Sequence, residues 1–247
     1  MIRALLWDVD GTLAETERDG HLVAFNRAFA ALGVPWRWST QRYGELLAVA
    51  GGYERLLHDM QSQPLAPRLM HERETLAREL HRLKNGYYCA IVRGGELALR
   101  AGVAELMADC CSSGVIMGIV TTTSRANLEA LLGHHLGSDW PTHFAAVVSA
   151  AEAPRKKPDP QAYHLALAAL RVTAKDCVAL EDAPAGVAAC RRAGVPVIVT
   201  HSHYFPEREV PGARARGPSL ASTLGWQPQA RVAAGRIDLA QISRWCA

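Results

Sequence analysis

A chain of 247 residues, 49% hydrophobic and 21% charged, is long enough for one large core or two smaller ones, and it is too apolar to be disordered or fibrous. Its net charge of +3 comes from scattered basic residues, which makes no case for nucleic acid and slightly favours small anionic ligands. The apolar run Ile2 to Trp7 has no basic stretch ahead of it and is interrupted by Asp8 and Asp10, so neither a signal peptide nor a membrane span is expected there or later.

The first element is a short buried strand that ends in Asp8-Val9-Asp10-Gly11-Thr12-Leu13. Strand side chains alternate faces, so the two acids share a mouth only if the chain turns between them or just after, and Gly11 allows such a turn. Next comes a region without strands, from about residue 17 to 88. Leu22, Phe25, Phe29 and Leu32 repeat at three and four and predict a helix that stops at Gly33, with Pro35 behind it. Gly20 falls within this helix and is expected to weaken it. Ser39 or Thr40 caps a second helix carrying Tyr43, Leu46 and Leu47, and a third follows Gly51-Gly52 with Leu56, Leu57 and Met60. A long charged amphipathic segment then runs from Pro67 to Lys84.

After Tyr88 the rhythm changes. A helix over residues 103 to 112 precedes the apolar strand Val115 to Val120, which ends in Thr121-Thr122-Thr123-Ser124 and a helix through Leu132. Phe144 to Val148 reads as a strand, Asp159 to Leu170 as a helix, Val178 to Leu180 as a strand, Pro184 to Ala193 as a helix and Val195 to Thr200 as the last clear strand. This alternation predicts an open parallel α/β sheet, whose ligands gather at the carboxyl ends of strands. The helical segment is then an insertion after the first strand: residues 1–16 and 89–247 form the core domain and 17–88 a helical cap, with hinge strands at 14–17 and 88–96. Beyond residue 201 the reading weakens: Val210 to Ser222 looks like loop, no final strand is evident, Ile237 to Trp245 reads as a short helix, and His201 and His203 lack partners for a zinc site. The six cysteines form no CxxC pair and are expected reduced, in a cytoplasmic protein.

Four strand ends or adjoining loops carry polar groups: Asp8 and Asp10, then the hydroxyls at 121 to 124, then Arg155-Lys156-Lys157-Pro158, then Glu181-Asp182. Each has an ordinary explanation, as a helix cap, a solvated charge run or a capping pair. Their joint order is harder to explain as scaffolding. Hydroxyls before a helix N-terminus suit a phosphate, a lysine neutralises it, and paired acids hold a divalent cation through hard oxygens. A carboxylate such as Asp8 can attack a phosphoryl group, and a second such as Asp10 can protonate the leaving alcohol and then activate water.

With these residues in place, the sequence resembles the haloacid dehalogenase (HAD) superfamily of phosphatases over about residues 1 to 200: DxDGTL at Asp8 to Leu13, the hydroxyl at Thr122, the KPxP lysine at Lys157 and the acids of LEDxxxG at Glu181 and Asp182. The resemblance implies a Rossmann-like core with a small helical cap, an aspartyl-phosphate on Asp8, acid/base work by Asp10, and phosphoryl binding by Thr122 and Lys157. It further implies Mg²⁺ on Asp8, the Asp10 carbonyl and Asp182, with Glu181 supporting from behind. Within the superfamily the chain is most similar to the CbbY group, through Glu17 with His21, the Gly51-Gly52-x-x-Arg55 turn, Lys84-Asn85 and the TTTSRAN stretch. That likeness implies substrate contacts at Glu17, His21, Arg55, Lys84, Thr123, Ser124 and Arg125, and hydrolysis of xylulose 1,5-bisphosphate to xylulose 5-phosphate in support of Rubisco and the Calvin cycle. The alternatives are a phosphoglycolate phosphatase, disfavoured by the Arg55 turn, and a sugar phosphomutase resembling β-phosphoglucomutase. A monomer acting on a small phosphosugar, without nucleic acid or membrane partners, is expected. The hydrophilic stretch Arg18-Asp19-Gly20 is unexpected beside a substrate.

Overall fold

Ala4–Trp7 forms β1, and its side chains alternate between two cores: Leu5 and Trp7 on one side of a sheet, Ala4 and Leu6 on the other. The computed structural model describes residues 2–206, 210–231 and 235–247. The other strands are β2 (Ile116–Val120), β3 (Ala146–Val148), β4 (Cys177–Glu181), β5 (Val197–Thr200) and β6 (Ala215–Gly217). Together these strands form one parallel sheet in the order β3-β2-β1-β4-β5-β6. In register, Trp7 lies between Ile119 of β2 and Leu180 of β4, so the carboxyl ends of these three strands open on the same edge. The chain reverses its direction of travel across the sheet beside β1, which is where such folds form a ligand crevice.

Of the five α-helices between β1 and β2, the first four are α1 (Leu22–Ala31), α2 (Thr40–Leu46), α3 (Gly52–Asp59) and α4 (Met70–Arg93). They enclose a separate aromatic core in which Phe25 and Phe29 pack on Trp38 with ring centroids 4.7 and 5.0 Å apart. Ser39 caps α2 by accepting the Arg42 N–H at 3.1 Å. Buried Asp59 accepts from Trp38 Nε1 at 2.6 Å and pairs with Arg42 at 2.6 Å, which ties α2 to α3. On the sheet itself, α5 (Val103–Ser113), α6 (Arg125–Leu136) and α9 (Leu239–Cys246) cover one face, and α7 (Gln161–Leu170) and α8 (Pro184–Arg192) cover the other.

Three local expectations need correction. Residues 88 to 96 are not an extended hinge: α4 stays helical through Arg93, because its apolar stripe passes from the cap core (Ala77, Leu80) into the sheet core (Tyr88, Ile91, Val92). Gly20 sits in a single wide π-type turn, Glu17–His21, ahead of α1; a Cβ there would lie 2.9 Å from both Leu97 and Tyr88, so glycine is required by close packing. The stretch from Val210 to Ser222 holds a real strand, β6, which pairs with β5 through Ile198–Ala215 and Thr200–Gly217. No helix among the described residues is long and apolar enough to cross a membrane.

Candidate active site

Asp8 continues the sheet ladder one step past β1, donating its N–H to Leu180 O at 3.0 Å, and its side chain is buried. The chain then turns on Gly11, whose φ of 86° suits glycine, with Gly11 N–H bonded to Ala14 O at 2.9 Å and Leu13 N–H to Val9 O at 2.9 Å. The turn brings Asp10 to the same mouth as Asp8. Asp10 Oδ1 accepts from Thr16 Oγ1 at 2.5 Å and meets His21 Nε2 at 3.0 Å. Burial works against ionisation of Asp10, but the charge and hydrogen bonds of His21 and the Thr16 hydroxyl outweigh it and hold the carboxyl below the usual carboxylate range. Arg100 clamps the turn from behind, donating to Gly11 O, to His201 O and to Thr200 Oγ1 at 3.1 Å.

Lys157 enters from the loop before α7 and donates to Asp8 Oδ1 at 2.7 Å, Glu181 Oε1 at 2.7 Å and Val120 O at 2.8 Å. Burial disfavours its charge, yet Asp8 and Glu181 raise its pKa well above the ordinary lysine value. Glu181 also accepts from Tyr163 OH, and Asp182 Oδ2 accepts from Ser202 Oγ at 2.7 Å. Oxygens of Asp8, Glu181 and Asp182 all lie within 4.8 Å of one another. Burial raises the Asp8 carboxyl, with Lys157 opposing and Glu181 adding repulsion; burial and then Asp8 raise Asp182. Three buried carboxyls thus face one ammonium, and a hard divalent cation among their oxygens would relieve the crowding. The donor set fits such an ion. Thr16 and His21 both hold Oδ1 of Asp10, whose carboxylate lies outside that cluster of three.

Two motif glycines are explained by these acids. A Cβ on Gly11 would lie 2.1 Å from Asp182 Oδ2, and one on Gly186 would lie 1.9 Å from Glu181 Oε2. Each glycine is the missing volume into which a carboxylate fits.

Thr122, at the end of β2, is half-buried and lines the cavity with Asp8 and Lys157. Thr123 and Ser124 line its inner end, although Ser124 Oγ is also the cap of α6, accepting Asn127 N–H at 3.3 Å. Arg125 stands apart from the other candidates. Its guanidinium turns to Glu129, 3.4 Å away, and over the Trp140 ring, away from the cavity lining, because it occupies the outer face of α6.

The cap supplies the opposite wall. Glu17 accepts from Tyr43 OH at 2.5 Å, and Arg55 donates to Tyr43 OH at 2.8 Å and Leu46 O at 3.1 Å, with Glu17 3.9 Å away. Burial pushes the Lys84 ammonium down to about 8 against the pull of Asp10 and Glu17. Between cap and sheet lies a cavity of about 600 Å³ with Asp8, Asp182 and Lys157 at one side and Arg55 at the other. It shares Asp10, Glu17, Arg55 and Thr122 with an inner recess of about 60 Å³ that reaches His81, Lys84 and Asn127. By contrast Arg18 and Asp19 pair with each other at 2.6 Å on the outside, which explains a hydrophilic stretch so near the site.

Several participants carry no signal in the sequence. Thr16, Ser202, Arg100, Tyr43 and Tyr163 act by touching residues of the motifs, and only the fold reveals those contacts. Asn127 had a signal in the RAN triplet.

The chain matches the haloacid dehalogenase-like hydrolases over residues 2–194. It is 41% identical over 247 residues to the plasmid-encoded protein CbbY of Cupriavidus necator, covering 99% of this chain and 96% of that one. The crystal structure of CbbY from Rhodobacter sphaeroides in complex with phosphate superposes with a TM-score of 0.86 at 36% identity, over 98% of this chain and 100% of that chain. A mutant of that protein in complex with xylulose 1,5-bisphosphate gives 0.85 at 36% identity, over 98% and 99% of the two chains. With the four motifs gathered at one sheet edge under a helical cap, the chain belongs to the haloacid dehalogenase-like hydrolase family, as a close relative of the CbbY proteins.

Proposed function

We propose that this protein is a Mg²⁺-dependent phosphatase that hydrolyses xylulose 1,5-bisphosphate to xylulose 5-phosphate, acting as a cytoplasmic monomer. The observation that carries the reading is a cavity with two anion-binding poles: the Asp8–Lys157 pair, with its N–O distance of 2.7 Å, and the buried Arg55 on the facing wall. A bisphosphate has one phosphate for each pole, whereas two-carbon phosphoglycolate has no second phosphate and needs no distal phosphate clamp. The likeness to CbbY, a relative of which holds xylulose 1,5-bisphosphate, supports the substrate. The six free cysteines suit a reducing compartment. Residues 17–88 serve as the cap and the remainder as the catalytic core.

Asp8 attacks the phosphorus, a phosphorus–oxygen bond forms on its carboxylate, and the bond to the sugar oxygen breaks. Thr122 and Lys157 hold the phosphoryl oxygens. The leaving oxygen takes its proton by way of Asp10, which must first receive one from the His21 ring 3.0 Å away, because its own carboxyl is held below the usual carboxylate range. Asp10 then removes a proton from water as that water attacks the phosphorus, which frees Asp8 and releases phosphate. Mg²⁺ held by Asp8, the Asp10 carbonyl and Asp182, with Glu181 behind, would neutralise the phosphoryl charge.

Phosphate release from a panel of xylulose 1,5-bisphosphate, phosphoglycolate and β-glucose 1-phosphate tests the reading. The expected order puts xylulose 1,5-bisphosphate first, with no isomerisation of β-glucose 1-phosphate, loss of turnover on chelation and recovery with Mg²⁺. Asp8→Asn should abolish turnover. A clear preference for phosphoglycolate would overturn the substrate, and an active Asp8→Asn variant would overturn the mechanism.

A further inference from the structure

The inner recess holds a polar group that the reaction above does not use. Asn127 sits in the first turn of α6, only 3% exposed, and its Oδ1 is buried with no hydrogen-bond partner. Leaving a buried acceptor unsatisfied costs about 1–3 kcal/mol, so the position calls for a donor. Its orientation follows from its neighbours. Lys84 Nζ, which can only donate, bonds to Asn85 Oδ1 at 3.3 Å. Asn85 Oδ1 is thereby an acceptor, and it receives Asn127 Nδ2 at 3.3 Å. The same Nδ2 reaches Thr123 Oγ1 at 3.3 Å. The amide of Asn127 is therefore turned with its nitrogen toward α4 and Thr123, and its oxygen is the unpartnered polar atom of a residue that lines the recess.

The groups around that oxygen define what satisfies it. Lys84 and Arg55 are cationic donors suited to anions such as phosphate oxygens. A phosphate oxygen offers nothing to a bare carbonyl-type acceptor, whereas a hydroxyl donates to it directly. We propose that Asn127 is a specificity-determining residue whose Oδ1 accepts a hydrogen bond from a hydroxyl of the substrate's carbon chain, so that the site selects polyol phosphates over phosphate esters without hydroxyls. The inference rests on the phosphatase reading and deepens it. A site that hydrogen-bonds a hydroxyl rejects the analogue lacking it, because the acceptor then stays buried and unpaired. Burial holds the His81 imidazole of the same recess down to about 4, with Lys84 adding to the effect, so at neutral pH its uncharged ring leaves the hydroxyl-binding character of the recess intact.

The test compares wild type with Asn127→Ala and with Asn127→Ser on xylulose 1,5-bisphosphate and on p-nitrophenyl phosphate, which carries no hydroxyl. It is read on whichever variant keeps the wild-type thermal midpoint. The expected result is a fall of about tenfold in kcat/KM for the sugar bisphosphate, carried mainly by KM, with p-nitrophenyl phosphate turnover within about twofold of wild type. Equal losses on both esters, or no loss on either, would overturn the role. If wild type ignores xylulose 1,5-bisphosphate but hydrolyses glucose 6-phosphate or glycerol 3-phosphate, the substrate assignment fails while the same ratio, taken with that ester, still decides Asn127. If wild type turns over only the hydroxyl-free ester, both fall.

Discussion

Lys84 is a charged group held where burial works against it. Only 4% of it is exposed, its ammonium lies 5.3 Å from the Phe25 ring centroid and 5.4 Å from that of Tyr88, and its pKa falls from 10.5 to about 8. Because the folded state binds this proton less tightly than the unfolded chain, the group's stabilising share is full above pH 10.5 and is lost as pH falls through 8. At neutral pH the charged lysine therefore costs the fold about 3 kcal/mol. Such a cost is retained where it serves binding. Lys84→Met should raise the denaturation midpoint at pH 7 while lowering kcat/KM for an anionic substrate at least tenfold. In wild type kcat/KM should decline above pH 8, as the ammonium loses its proton, and the variant should lack that inflection. A pH profile with the same alkaline limb in both proteins would remove Lys84 from the binding site. At this scale the sequence was informative for residues that chemistry itself requires, Asp8, Asp10, Lys157, Glu181 and Asp182. It was silent on residues that hold them: Ser202 reaches Asp182 from beyond β5, and its type and spacing carry no mark of that contact.

At the level of elements, legibility followed burial. Strands β1, β2, β4 and β5 are covered by helices on both faces, so each is an apolar run, broken only at the last residue in β4 and β5, and was recognisable. Strand β6 is an edge of three residues, Ala215-Arg216-Gly217, followed by a proline, and nothing in that composition reads as a strand. Its position is fixed from outside. Gly217 has no Cβ, and one there would lie 2.3 Å from the Trp226 ring, so the indole packs directly on the strand backbone. Trp226 stacks on Trp245 of α9 with centroids 4.7 Å apart, and its Nε1 donates to Ser222 O at 2.9 Å. This aromatic pair closes the sheet edge. Helix α4 was mis-bounded for a similar reason: its stripe serves two cores in succession, and a sequence does not announce which core a residue joins. Trp226→Ala should destabilise the protein by about 3–5 kcal/mol, the range for a buried tryptophan, and leave kcat/KM unchanged below the unfolding transition. Chemical denaturation followed alongside activity checks both halves. Lost activity in a still-folded variant would mean that this edge is coupled to the site.

For the molecule as a whole, the question is what holds the cap against the sheet. Helix α4 runs through both, and among the described residues a few direct polar links also join them, one of them in the site itself, where His21 meets Asp10 at 3.0 Å. Asn85 meets Asn127 at 3.3 Å, and Arg18 meets His203 at 3.3 Å. Lys156 of the core, the neighbour of Lys157, pairs with Glu54 of α3, the neighbour of Arg55, at 2.5 Å. The last link joins the two poles of the cavity by one residue on each side. It is made possible by Gly51, whose φ is 97° and on which a Cβ would lie 2.2 Å from both Glu54 Oε2 and Lys156 Nζ. The carboxylate is 45% exposed and the ammonium 21%, so the pair is screened and contributes at most about 1 kcal/mol. That is too little to stabilise the fold and enough to bias an opening and closing of the cap. Glu54→Gln, which keeps the side chain's shape, should therefore leave the unfolding midpoint unchanged. It should raise KM about two- to fivefold at low salt, because the closed form that binds substrate is less populated. The difference between variant and wild type should shrink as salt is added, since the wild-type pair is screened while the variant has no pair to lose. Steady-state kinetics over a salt series measures this. A KM that is identical in the two proteins at low salt would show that closure does not depend on the Lys156–Glu54 contact.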